Sequence, residues 1–231
     1  FKQLREAFID GRWAGKVEFC GQVFTVTKKR KLPNSPEDTT DPWGLNCSDA
    51  KTSDIAPLQE LTNIQVLNLN GTGVQNLETL RHLKHITGVY LSETKVEDLS
   101  PLADLASIEV IDVGGSEVED LSPLAAMIRL GALVLNDTPV RDLSSLAEKP
   151  SLKRIDLTNT AVKKLPEFGD MPHMKELRLT GTQVRDLRAI SGMRNLEELS
   201  ASDTRISNLR GIEEFKKLKT LRLHGSPVKS L

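Results

Sequence analysis

The chain has 231 residues, with 31 Lys and Arg against 32 Asp and Glu, and a formal net charge of -1. Hydrophobic residues make up 38% and charged residues 27%, which excludes a collagen, a wholly disordered chain and a disulfide-dense mini-protein. No apolar run approaches the roughly 20 residues that span a bilayer, so we expect no membrane span.

The first 41 residues differ from the rest in composition and pattern. Six of the nine aromatic residues lie within residues 1–43. Phe1, Leu4 and Phe8 share one helical face, residues 17–26 read as a β-hairpin, and residues 33–42 are a polar, proline-containing connector. We predict that residues 1–41 form a small α+β cap on the repeats that follow. The basic run at residues 28–31 is interpreted as a solvated hairpin edge, with a nuclear-import signal as the alternative.

Cys20 and Cys47 are the only cysteines. They are too few for a disulfide framework and do not have the spacing of zinc ligands. The pattern favours two buried thiols, with a single bridge between them as the alternative. Because the chain begins with Phe1, a removed secretory signal is compatible with the sequence, and localisation is left open.

Residues 42–231 repeat with a period of 22. From Leu45 to Leu231 there are 187 residues, or 8.5 periods, with no insertion or deletion. Each unit carries a leading apolar residue, an apolar pair such as Leu67 and Leu69, a hydroxyl such as Thr72, and a Val or Ile such as Val74. A fixed period of this length indicates a solenoid of stacked units.

These residues resemble the leucine-rich repeat family, in its 22-residue class typified by the bacterial internalins. Val96-Glu97-Asp98-Leu99-Ser100-Pro101-Leu102 and its copy at residues 118–124 carry the resemblance most clearly. It covers about four fifths of the chain. It implies an α/β repeat fold, a right-handed solenoid with a parallel concave β-sheet and short 3₁₀ or α segments on the convex side. Two departures are Thr or Ser where the family usually has Asn, and no immunoglobulin-like segment after the repeats.

The periodic residues predict the local structure independently. Leu67 and Leu69 alternate with polar residues, as in a short strand with one buried face, and Leu99, Leu102 and Leu105 recur at threes, as in a 3₁₀ turn. We expect nine parallel strands and a buried hydroxyl column that links successive turns. Carboxylates are expected to cap the helical turns at five positions: Asp54, Asp98, Asp120, Asp142 and Asp186.

The sequence offers no catalytic, metal or cofactor site. It has no phosphate-binding glycine loop and no nucleophile with a base at motif spacing. Its four histidines fall on different faces of the repeat, so His82 and His85 are interpreted as a surface pair and not as metal ligands. The protein is therefore predicted not to be an enzyme.

Function is expected on the outward face of the strands, the concave surface of such a solenoid. The two outward columns give an apolar stretch at Val66, Tyr90, Val110, Ala132 and Val134, followed by a charged one. An aromatic residue among aliphatic ones, bordered by arginines and acids, is typical of a protein-binding surface. The predicted partner-binding residues are Val66, Tyr90, Val110, Asp112, Val134, Arg154, Asp156, Glu176, Arg178 and Arg222.

Charge is segregated along the chain. Residues 42–149 carry 7 basic and 16 acidic side chains, and residues 150–231 carry 16 basic and 10 acidic ones, giving net charges of -9 and +6. Such a dipole orients a partner of matching polarity. A nucleic-acid partner is not expected, because the basic half keeps acids on the concave columns and lacks aromatic platforms.

The sequence thus predicts a protein–protein interaction module, the recognition domain of a bacterial surface or secreted effector protein, where "bacterial" and "effector" follow from the resemblance alone. The alternative is a substrate-targeting domain of a larger enzyme, such as a ubiquitin ligase or nucleotide hydrolase. The apolar edge at Leu218, Leu221, Leu223 and Val228 predicts either that more protein follows or that two copies associate there.

Overall fold

A computed structural model of the protein describes residues 15–20, 22–26, 44–60 and 64–229. Within them, nine strands form one parallel sheet whose spatial order follows the chain order, as predicted. A two-stranded antiparallel sheet precedes it, made of β1 (Gly15–Phe19) and β2 (Gln22–Val26). The parallel strands are β3 (Gly44–Asn46), β4 (Val66–Asn68), β5 (Gly88–Tyr90), β6 (Val110–Asp112), β7 (Ala132–Val134), β8 (Arg154–Asp156), β9 (Glu176–Arg178), β10 (Glu198–Ser200) and β11 (Thr220–Arg222).

The strand register is the sequence period itself. Leu67 pairs with Leu45 on one side and with Val89 on the other, each 22 residues away. The middle residue of each strand from β3 to β10 points into the core, where Leu67, Val89 and Ile111 are fully buried. The residues on either side of it therefore point outward, as expected for a strand with one buried face.

The hydroxyl column is buried, but it does not link successive turns as expected. Thr72 Oγ1 donates to the Leu69 carbonyl at 2.6 Å, and Thr138 Oγ1 donates in the same way to the Leu135 carbonyl at 2.6 Å. Each threonine thus closes its own turn, three residues back. Thr204 also contacts Ser226 of the next turn at 2.8 Å, whereas the buried Ser116 hydroxyl has no partner among the described residues.

Short 3₁₀ segments form the wall opposite the sheet. They span Ala56–Glu60, Glu78–His82, Ser100–Leu102, Ser122–Leu124, Ser144–Leu146 and Arg188–Ile190. All five predicted carboxylates cap them; Asp98 Oδ1, for example, accepts from the Ser100 N–H at 2.7 Å. The Asn76 side chain likewise accepts from the Glu78 N–H, and the Asn208 side chain accepts from the Arg210 N–H. These two asparagine hydrogen bonds were not predicted from the sequence.

The N-terminal hairpin is joined to the first repeat by a disulfide. The described strands β1 and β2 form the predicted hairpin, and Cys20 in its turn is bonded to Cys47, with the two Cα atoms 4.8 Å apart. The expectation of two free thiols is therefore wrong, because the hairpin brings its turn to the edge strand β3. The predicted helix, the connector and the basic run at residues 28–31 lie outside the described residues, and the function of residues 1–41 as a cap stays a prediction.

The last described strand is less covered than the others. Leu218, Leu221 and Leu223 are half-buried and pack on the core from one side. Association of two copies through this edge stays a prediction.

Candidate functional site

Four neighbouring strands, β4 to β7, place the apolar residues of the concave face side by side. The register puts Val66 beside Gly88, then Val110, then Ala132. These residues, together with Tyr90 and Val134 in the second column, are called the apolar patch. Apart from the buried Gly88, its members are half-buried, although no core packing requires an apolar residue at an outward strand position.

Tyr90 and Val66 meet over Gly88. A Cβ atom at Gly88 would lie 3.5 Å from Cε2 of Tyr90 and 3.7 Å from both methyl groups of Val66. These are ordinary contact distances, so a methyl group fits between the ring and the valine. The ring of Tyr90 therefore lies over Gly88, which is buried, and the small glycine lets the ring and Val66 pack closely together.

Asp112 interrupts the second column of the patch between Tyr90 and Val134. Its carboxylate accepts a hydrogen bond from the Gly114 N–H at 3.1 Å and another from the Ser92 hydroxyl. The side chain is therefore engaged by the ends of β5 and β6, and Asp112 is a polar border of the patch.

Asp156, predicted as an exposed contact, is buried, with a relative exposure of 5%. It accepts from the Thr158 N–H at 3.1 Å and from the Thr158 hydroxyl at 2.7 Å. Arg178 Nη1 and Arg154 Nη2 lie 3.4 and 3.6 Å from Oδ2. The carboxylate is covered because its own strand and the next one both carry an arginine beside it. Its charge is therefore paired within the protein.

The other charged residues of strands β8 to β11 also pair with one another. Glu176 lies 2.6 Å from Arg178 and 3.7 Å from Arg154. Arg222 is bonded to Glu198. With Asp156, these residues are called the charged half of the concave face. The predicted contacts Arg154, Glu176 and Arg178 are thus brought together with Asp156 in an ion-pair network, whereas Arg222 forms a separate pair with Glu198.

A second ladder of charges lies along the edge of the same strands. Glu197 is 3.3 Å from Lys175 and 2.5 Å from Lys219, each one repeat away. Hydrogen bonds from Lys219 and Lys175 hold the pKa of the Glu197 carboxyl below its ordinary value. The charged half is thus bordered by a further set of paired ions.

Sequence reasoning missed two features of the solenoid, one on the concave side and one on the opposite wall. A row of small polar residues follows the strands at Asn70, Ser92, Asn136, Thr158 and Thr180, and Asn70 accepts from the Ser92 N–H at 2.8 Å. This row could have been found in the sequence, because it is a periodic polar column two residues after the column that contains Tyr90. On the opposite wall, Lys149 occupies a column otherwise filled by Leu, Met and Phe; it is 2% exposed, bonded to the Ala125 carbonyl, and its burial lowers the pKa of the amine.

No group of three or more metal-ligating side chains occurs in the described parts of the chain. Over the same residues, no helix has the length and apolar character needed to cross a bilayer.

Comparison with known proteins finds relatives in structure. No protein-family model matches the sequence, and no curated protein matches it. An internalin (inlF) from Listeria monocytogenes superposes with a TM-score of 0.70 at 21% identity, covering 87% of this chain and 66% of that one. An internalin C2 from the same organism gives 0.72 at 24% identity, covering 77% of this chain and 79% of that one.

A structure described as the plant peptide hormone receptor RGFR1 in complex with RGF2 is also similar, with a TM-score of 0.70 at 18% identity, covering 82% of this chain and 33% of that one. The period, the parallel sheet and these likenesses agree. The chain folds as a leucine-rich repeat solenoid, like the internalins and the other leucine-rich repeat proteins it resembles.

Proposed function

We propose that the protein is a protein–protein interaction module that binds its partner on the concave face, with the apolar patch as the centre of the contact. The observation that carries this proposal is the half-buried, partly solvent-exposed apolar patch on four neighbouring strands, with Tyr90 as its one aromatic residue. A partner that covers the patch removes this surface from water, and such burial stabilises a complex by about 25 cal/mol per Å² before the costs of association.

Tyr90 is the best candidate for an energetic anchor. Tyrosine buries a large rigid surface and keeps a polar tip, which is why it is enriched at binding hot spots. Val66, Val110 and Val134 complete the apolar contact, and Asp112 offers a polar border. Arg154, Glu176, Arg178 and Arg222 orient a partner at the rim and add little affinity, because their charges are already paired, whereas the buried Asp156 holds Arg154 and Arg178 and does not contact the partner.

The cellular setting of this module rests on other observations. The Cys20–Cys47 disulfide supports an oxidising compartment such as the cell exterior. Two of the similar structures are Listeria internalins, and one is a receptor in complex with RGF2. These observations support a recognition domain of a bacterial surface or secreted effector protein.

Photo-crosslinking from two positions tests this proposal. A benzophenone side chain at Val110, inside the patch, is compared with one at Ile128, which is 66% exposed and outside the sheet. Both proteins are incubated with extracts of the source organism and of its host. We expect one protein to be captured from position 110 and lost when Tyr90→Ala is added. Capture of the same protein from position 128, or capture that ignores Tyr90→Ala, would contradict the proposal.

A further inference from the structure

The repeat between β8 and β9 departs from its neighbours. Lys164 stands in the column where Asp98, Asp120 and Asp186 cap the 3₁₀ turn, and Pro166 stands where Ser100 donates its N–H to the cap. Proline has no N–H to donate. The cap cannot form, and no 3₁₀ segment occurs over residues 163–170.

Residues 163–170 are therefore held by buried side chains and by the Gly169 carbonyl, which packs against Gly192 of the next repeat and leaves no room there for a Cβ atom. Leu165 and Phe168 are buried at 4% and 0% exposure, so the segment is anchored in the core. Its own N–H and carbonyl groups make no hydrogen bond to other backbone groups among the described residues. In the following repeat the Ile190 N–H binds the Leu187 carbonyl at 3.0 Å. Apart from the Gly169 carbonyl, which packs against Gly192, the backbone polar groups of residues 163–170 can therefore bind solvent or a ligand.

The missing turn opens a groove of about 1160 Å³ between this segment and the next repeat. Eight charged residues line it: Lys163, Lys164, Arg185, Arg188 and Arg194, with Glu167, Asp170 and Asp186. Asp186 forms an ion pair with Arg188 at 2.5 Å, and this contact lowers the pKa of the Asp186 carboxyl. The other four cations have no ion-pair partner in the described part of the chain.

The same place four repeats earlier shows what a regular unit provides. There, a groove of about 300 Å³ is lined by Glu78, Lys95, Glu97 and Asp98, and the 3₁₀ segment Glu78–His82 is present. It is smaller and acidic. The large size of the groove, and not its positive charge, coincides with the lost turn: a groove of about 410 Å³ beside the intact 3₁₀ segment Ser144–Leu146 is lined by Arg141, Lys163 and Lys164 and is also basic.

We infer that this groove, here called the basic groove, binds an acidic peptide segment of a protein, in an extended conformation along residues 163–170. Unpaired lysines and arginines attract carboxylates, and free backbone groups can bond to an extended chain. Its three carboxylates disfavour a continuous phosphate backbone, and no aromatic side chain lines it to stack bases. The basic groove lies apart from the apolar patch, so the inference does not depend on the concave-face proposal.

A binding titration with a defined probe tests the inference. The probe is a fluorescent oligo-glutamate peptide of about eight residues, enough to follow residues 163–170 when extended. Fluorescence anisotropy is measured at about 50 mM and about 200 mM salt, since screening weakens contacts between exposed charges. The variants are Lys163→Glu with Lys164→Glu, and separately Arg185→Glu. The matched control, Lys84→Glu with Lys95→Glu, makes the same charge change on exposed lysines of the acidic half.

We expect saturable binding that weakens with salt, about tenfold weaker in both groove variants and unchanged in the control and in Tyr90→Ala. Thermal unfolding of each variant verifies that it is folded. Equal weakening by the control would show a response to net charge and overturn the inference, as would no binding at low salt. Tighter binding of a single-stranded oligonucleotide of equal charge at the same residues would also overturn it, in favour of a nucleic acid.

Discussion

The two ends of the concave face use the same strand positions differently. On strands β8 to β11, outward charges meet opposite charges from the same or neighbouring repeats, and Asp156 is covered by two arginines. On strands β4 to β7, most of the outward residues are apolar and half-buried. The charges of the charged half are therefore largely paired within the protein, although the buried Arg154 Nε has no hydrogen-bond partner among the described residues. The apolar patch, in contrast, gains only when another molecule covers it.

This contrast changes how the surface is interpreted. Arginines at outward positions are typical of binding sites, and the sequence alone predicts the charged residues as partner contacts beside Tyr90, which it favours as the anchor. Because these charges are already paired, a partner must replace their existing contacts before they can add to its affinity. Affinity is therefore expected mainly from the apolar patch, and orientation from the charged half.

Reduction of the disulfide should have the largest effect on stability, and this effect should be confined to the end of the solenoid that carries β3 and β4. Cys20 and Cys47 are 27 residues apart, and a loop of this length stabilises a fold by about 3 kcal/mol. Hydrogen exchange of the reduced protein, or of Cys20→Ala, should rise most in β3 and β4. Equal acceleration in β9 and β10 would contradict this local effect, since repeats unfold with their neighbours.

Asp156→Ala should destabilise the charged half by about 2 kcal/mol, because it leaves two arginines and the Thr158 turn without their acceptor. Asp112→Ala, the matched change beside the apolar patch, should cost about 1 kcal/mol, since no arginine contacts that carboxylate. Urea unfolding of the two variants measures the difference. Equal costs would mean that the ion-pair network adds no stability.

The hydroxyl column behind the sheet offers a smaller, paired test. Thr138→Val removes a buried donor to the Leu135 carbonyl and should cost about 1 kcal/mol. Ser116→Ala removes a buried hydroxyl with no described partner and should be neutral or stabilising. If thermal unfolding shows the same loss for both, then the hydrogen bond is not the source of the stability.

Acid should loosen strands β9 to β11, where Glu197 pairs with two lysines. The pKa of Glu197 is lowered in the folded protein by Lys219 and Lys175, so its pairs stabilise the fold above the unfolded pKa of about 4.3. This contribution is lost as pH falls through the lower folded pKa. Exchange rates corrected for pH should rise in β9 to β11 between about pH 6 and about pH 3, and should rise less in Glu197→Gln, which has no carboxylate to protonate; an equal rise in that variant would contradict the assignment.

The sequence predicts most of the fold because one period places every strand. Leu67 and its equivalents fix the buried face, and the register follows from the 22-residue spacing. The disulfide could not be predicted, because residues 1–41 lie outside the period and nothing places Cys20 beside β3. The direction of the threonine hydrogen bonds was also undetermined, since a hydroxyl near several carbonyls can donate to any of them.

The site was less predictable than the fold. Asp156 shares a column with Tyr90, and alternation assigns both to the surface; only the arginines at positions 154 and 178, read across neighbouring repeats, indicate that Asp156 is covered. The basic groove had a visible signal in Lys164 and Pro166, which break the capping column. Its volume, however, depends on how the next repeat packs against the uncapped segment.

The most direct test of the central claim is a titration of Tyr90→Ala and Arg178→Ala against the captured partner at two salt concentrations. The account predicts that Tyr90→Ala weakens binding by about 2 kcal/mol at both concentrations with an unchanged melting temperature. Arg178→Ala should change affinity by less than about 1 kcal/mol, and mainly at low salt. A loss with Arg178→Ala as large as that with Tyr90→Ala, or no loss with Tyr90→Ala, would contradict the claim that the apolar patch is the centre of binding.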